Sequence, residues 1–150
     1  MQKTVTCASD AAAQIYKNVK MGESAILDLM PKVENEKLRS EMVTHLEQYQ
    51  QFADEAKQFL DAEHREAKEA GIVARLSSKM GSAMNTLLDA TTSHIAEMMI
   101  EGSTMGITEH TRISHELERS DDPNREAVDR LAKEIVSFEQ QQIERLKQYL

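Results

Sequence analysis

The chemistry open to this chain rests on carboxylates and histidines that fall on or beside apolar helical faces: Glu23, His45, His94, Glu97, Glu101 and Glu139. A buried carboxylate is costly unless it is paired, protonated or bound to a cation. Glu and His side chains donated by facing helices are how bundles build carboxylate-bridged metal sites. Oxygen and imidazole donors suit iron, manganese or zinc rather than a thiolate-bound metal. The single cysteine, Cys7, makes neither an internal disulfide nor a thiolate cage. The sequence has no Gly-rich phosphate loop, nucleophile elbow or cysteine–histidine pairing, so nothing points to kinase, dehydrogenase or hydrolase chemistry. Each residue also has a plainer reading. Glu23 can reach solvent along its methylenes, and His45 and Tyr49 can be hydrogen-bonded seam residues. Met98, Met99 and Met105 can be adaptable core filling. His64, His110 and His115 read as exposed or helix-end residues.

Helices must position these side chains. Ser9 or Asp10 is expected to cap a first helix over about 10–30, with Ile15, Val19, Gly22, Ile26 and Leu29 on one face. Pro31 lacks a backbone donor and should end it at Met30. A second helix, about 34–69, carries the seam Leu38, Met42, His45, Tyr49, Phe52, Ala56 and Phe59, with Gly71 placed to cap its end. Residues 72–89 are amphipathic through Val73, Leu76, Met80, Met84 and Leu87. The polar stretch Asp89 to Ser93 reads as a break and a new N-cap. A helix over about 92–117 follows, with Ile95, Met98, Gly102 and Met105 along one face. Ser120-Asp121-Asp122-Pro123 is the clearest turn. The last helix, about 124–150, has the seam Val128, Leu131, Ile135, Phe138, Gln142 and Tyr149, and Glu139 lies between Ala132 and Leu146.

The expected architecture is all-α: one domain over 1–150, a four-helix bundle of two hairpins. The 72–89 piece is an amphipathic crossover between helices two and three, and about 18 helical residues span about 27 Å. A simple up-down bundle with 72–117 as one long helix is the rival. If the crossover makes helices two and three parallel, counting from the turns brings Glu23, His45, Glu101 and Glu139 to one interior polar layer. His94, Glu97 and Glu101 share a line at spacings of three and four. Gly102 and Gly106 either permit close helix approach or weaken the helix, at about 1 kcal/mol each.

Composition narrows the partners. The chain has 150 residues, a net charge of −8, two prolines, nine methionines and no tryptophan. An acidic chain with no Lys or Arg cluster disfavours nucleic acid and anionic membranes as partners. No run reaches the ~20 apolar residues of a membrane span, and the first residues lack a signal-peptide stretch. A cytoplasmic location is the default expectation.

Three segments carry a resemblance. They are Met21-Gly22-Glu23-Ser24, the run from His94 to Ile107, and Glu139-Gln140-Gln141-Gln142-Ile143-Glu144-Arg145-Leu146-Lys147. With the overall layout, they make the chain resemble the ferritin-like superfamily of four-helix bundles, in particular its small bacterial members. The di-metal members supply a Glu from each of two helices and Glu-x-x-His from the other two. Glu23 matches the first single Glu, and Glu97 or Glu101 the second. Glu139-x-x-Gln142 has the spacing of the last motif with Gln in place of His. Helix two offers Glu41-x-x-x-His45, a spacing of four, and His94-x-x-Glu97 reverses the order. The resemblance implies a degenerate, single-metal or metal-free relative. Its ligand candidates are Glu23, His45, His94, Glu97, Glu101 and Glu139. The alternative function is a metal-free interaction or self-association module, with a homo-oligomer as its product.

Overall fold

A computed structural model describes residues 7–64 and 89–150. Four α-helices make up the described chain: α1 Ala8–Leu29, α2 Glu36–Ala62, α3 Thr92–Glu118 and α4 Arg125–Leu146. Short 3₁₀ turns follow α1 at Met30–Lys32 and α4 at Lys147–Tyr149. No strand occurs among the described residues, and none of their helices is long and apolar enough to cross a membrane. The proposed crossover residues 72–88 and the expected end of helix two at 65–69 lie outside the described residues.

The apolar spacing of α1, α2 and α4 becomes burial. Ile15, Val19, Ile26 and Leu29 of α1 meet Leu38, Met42, Phe52, Ala56 and Leu60 of α2, and Val128, Leu131, Ile135 and Leu146 of α4, in one core. Side-chain caps fix the starts of α2 and α3. Asn35 Oδ1 accepts from the Leu38 amide at 2.9 Å, and Thr91 Oγ1 from the His94 amide at 3.3 Å. Pro31 does not push Met30 out of helical geometry: Met30 keeps φ −50° and ψ −44°, and Pro31 enters the 3₁₀ turn, where its missing N–H costs nothing. The chain turns away at Val33, whose ψ is 118°. Helix α2 is described as far as Ala62, and His64 follows with a left-handed φ of 53°.

Long-range contacts set the helix directions. The Asn124 side-chain Nδ2 donates to Glu63 Oε1 at 3.4 Å, beside the end of α2. Arg145 Nη1 lies 3.8 Å from Glu41 Oε2 at the opposite end, so α2 and α4 are antiparallel. The Ala8 amide at the start of α1 donates to Asp122 Oδ2 at 3.0 Å, in the turn between α3 and α4. Helices α1 and α4 therefore start at one end of the bundle, where α2 and α3 finish. It follows that α2 and α3 run in the same direction.

The start of α1 departs from local expectation. Cys7 stands at the N-cap position and its side chain makes no capping bond. The acceptor for the Ala8 amide comes instead from Asp122, far along the chain. Hydrogen bonds from the Ala8 and Asn124 amides hold the Asp122 carboxyl below its ordinary pKa. A depressed carboxyl pKa contributes stability that is complete above the ordinary carboxylate range and is lost as pH falls through the folded value. Asp122→Ala is expected to cost about 1 kcal/mol in urea unfolding near neutral pH. It should also flatten the acid limb of the stability profile and speed amide exchange in the first turn of α1.

Candidate functional site

Glu139 on α4 is the most deeply placed acid of the described chain, at 2% exposure. Its Oε1 accepts a hydrogen bond from the Tyr49 phenol of α2. Its Oε2 lies 3.6 Å from His45 Nε2, also on α2. His45 and Tyr49 are one helical turn apart, so the same face of α2 presents both to α4. Phe138 closes the group: its ring centroid is 5.1 Å from His45 and 6.1 Å from Tyr49.

Helices α1 and α3 give this group room through glycine. A Cβ on Gly22 of α1 would stand 2.5 Å from Tyr49 Cε2, and one on Gly106 of α3 would stand 3.2 Å from Glu139 Oε1. Each helix-interior glycine costs about 0.5–1 kcal/mol relative to alanine, and here each admits a larger partner. Gly102 differs, because among the described residues a Cβ there meets nothing within 4 Å.

Burial pushes the Tyr49 pKa well above its ordinary value, with the charge of Glu139 and its hydrogen bond adding to the shift. The Ser103 hydroxyl of α3 acts on the phenol in the opposite sense, without the geometry of a directed hydrogen bond. His110, one turn beyond Gly106, is buried to 2% exposure. Its Nδ1 donates to the Gly106 carbonyl at 2.8 Å, which leaves Nε2 as the acceptor of the neutral ring. Burial holds the His110 pKa down, against the opposing pull of that carbonyl and of Glu139. Among the described residues, seven buried side-chain atoms have no hydrogen-bond partner: both ring nitrogens of His45, Glu139 Oε2, Gln142 Oε1, Ser103 Oγ, His110 Nε2 and Glu23 Oε2.

A cavity of about 300 Å³ borders this centre. His45 and Tyr49 of α2 line it, together with Gly22, Ala25, Ile26 and Leu29 of α1. Its other side is α3, through Met98, Met99, Glu101, Gly102, Ser103 and Met105.

Of the six residues singled out by sequence, His45 and Glu139 meet in the interior, and His94 and Glu97 meet at the surface. Glu23 is buried at the border of α1 and pairs elsewhere, with Lys20 Nζ at 3.0 Å and Gln50 Nε2 at 3.5 Å. His94 is half-buried and Glu97 exposed; their closest atoms are 3.7 Å apart at the start of α3. Glu101 is exposed at the cavity rim, so the interior layer does not include it. Among the described residues, no three His, Cys, Asp or Glu side chains come together to hold an ion. The described residues by themselves therefore do not assemble a carboxylate-bridged di-metal centre.

The reason lies in the face of α3. Its buried line is Ile95, Met99, Ser103, His110, Ile113 and Leu117, with Gly106 between Ser103 and His110. The expected line of Met98, Gly102 and Met105 is one residue out of register; Met105 is 68% exposed. His110, expected at the surface, belongs to the core. The signal was present as the 4-3-4-3-4 spacing from Met99 to Leu117, carried by serine, glycine and histidine instead of apolar residues.

No family model, no curated protein and no solved structure matches this chain.

Tyr49→Phe removes the donor to Glu139 Oε1 and leaves a buried acceptor unsatisfied, which is expected to cost about 1–3 kcal/mol by urea denaturation. A raised phenol pKa contributes stability that is intact below the unfolded-state value and is lost as pH rises above it. The substitution should therefore weaken the alkaline dependence of stability and remove the highest-pH step in phenolate absorbance.

Proposed function

We propose that this chain is a ferritin-like bundle, with residues 72–89 making the crossover, and that it works as a binding protein for a small ligand. The parallel course of α2 and α3 supports the first part, since a bundle with one long crossover has that arrangement. One observation carries the second part. The cavity between α1, α2 and α3 is bordered by His45, buried to 2% exposure, whose Nδ1 has no hydrogen-bond partner. Buried polar groups are nearly always paired. An apolar cavity with a few convergent polar groups is the common form of a small-molecule site. Tyr49 is a poor nucleophile here, because burial and Glu139 keep its phenol protonated. That favours binding over turnover.

The neutral dye phenylnaphthylamine tests this reading. Saturable fluorescence enhancement, one dye per chain, with a raised melting temperature is the expected result. Absence of saturable binding by dyes of either charge would remove the cavity from consideration.

A second reading places an iron, manganese or zinc ion at the centre. It is favoured by His45 Nε2 and Glu139 Oε2, which face one another at 3.6 Å without a hydrogen bond. Elemental analysis of protein purified without tag or chelator decides it. About one equivalent of metal, lost together with thermal stability in Glu139→Gln and His45→Ala, would support the ion. Metal-free protein that still takes up no ferrous iron under anaerobic conditions would exclude it.

A further inference from the structure

Gly102 is the helix-interior glycine that the described fold leaves unexplained. Gly22 yields to the Tyr49 ring and Gly106 to the Glu139 carboxylate, whereas nothing described lies within 4 Å of a Cβ built on Gly102. It stands well inside α3, where glycine is a poor choice. Gly102 also lines the cavity, on the wall opposite Gly22 and Ala25. A side chain there would enter the cavity mouth.

We propose that Gly102 keeps this mouth open for an uncharged, mainly apolar small molecule whose single polar head bonds to His45. This inference rests on the binding reading above. Three observations select the ligand class. First, the lining is dominated by Ile26, Leu29, Met98 and Met99, which offer contact and no counter-charge. Methionine walls adapt to ligand shape. Second, an anionic head at His45 would sit beside the Glu139 carboxylate, 3.6 Å beyond the ring, in a site shielded from water. Glu101 at the rim and the net charge of −8 oppose anions further. Third, a cationic head would lose its hydration with no carboxylate in the interior lining to receive it: Glu139 is not among the lining residues, and Glu101 is exposed at the rim. A hydroxyl or carbonyl head needs one hydrogen bond, and His45 Nδ1 has one to give or accept. A second copy of the chain laid across Gly102 would cover the mouth and leave that nitrogen unpaired.

Competition against phenylnaphthylamine on the full chain tests the proposal, with octanol, octanoate and octylammonium as competitors of matched length. Octanol should displace the dye at concentrations at least tenfold lower than either charged analogue. Gly102→Leu should weaken octanol at least tenfold while melting at or above the temperature of the parent. Gly102→Ala, which adds one methyl, should raise the melting temperature and weaken octanol less than Gly102→Leu does. His45→Phe should remove the advantage of octanol over octane. Tighter binding of octanoate or octylammonium overturns the ligand class. Unchanged octanol affinity in Gly102→Leu overturns the role of Gly102. One dye per two chains, or a melting temperature that rises with protein concentration, assigns the mouth to self-association and overturns the proposal. Failure of the parent to bind the dye at all is distinct from these outcomes, and sinks the binding reading itself.

Discussion

A carboxylate buried where four helices meet sets the terms for the residues around it. Removing a charge from water costs several kcal/mol unless directed partners replace the lost hydration. Among the described residues, the Tyr49 phenol of α2 gives Glu139 Oε1 a directed hydrogen bond, and the His45 ring of the same helix stands 3.6 Å from Oε2 without one. Bringing α2 so close requires room on the other two helices, which the missing side chains of Gly22 and Gly106 provide. Each helix thus carries one concession to the same acid. The helical cost of two glycines, about 1 kcal/mol each, is smaller than the cost of an unpaired buried charge.

The aromatic rings around this acid have an electrical role as well as a packing one. His45, Tyr49, Phe52 and Phe138 form a connected set, with neighbouring centroids between 4.5 and 6.1 Å apart. They exclude water from the hydrogen bond between Tyr49 and Glu139, and a bond in such surroundings is stronger than one in solvent. The same exclusion keeps the Tyr49 proton in place and the His110 ring neutral. The adjoining cavity consequently meets the edges of His45 and Tyr49, while Glu139 stays behind them and outside its lining.

Legibility in the sequence followed the chemistry of each seam. Helices α1, α2 and α4 could be read because Ile15, Leu38, Met42, Leu131 and Ile135 repeat as apolar residues at helical spacing. His45 and Glu139 were visible as polar interruptions in those repeats. Helix α3 was harder, since its inner line is written in Ser103, Gly106 and His110. Apolar residues at Met98 and Met105 offered a rival line. A one-residue shift of face turns a helix by about 100°, enough to send Glu97 and Glu101 outward while His110 moves inward. Glu23 sat on a border, where a neighbouring lysine and glutamine decide the matter. The cap of α1 was beyond any local reading, because Asp122 reaches it only after the chain has folded back.

That distant cap bears on how the molecule assembles. The α1–α2 hairpin begins with an amide whose acceptor belongs to the other hairpin, and the α3–α4 hairpin carries an acid whose donor belongs to the first. These two dependencies cross the boundary in opposite directions. Each hairpin therefore draws a hydrogen-bond partner from the other, although each is joined by a short turn. Docking completes the first turn of α1 and the solvation of Glu139 in one event. Separating the halves would return both groups to water and expose the apolar core they share, so the two hairpins are expected to melt together.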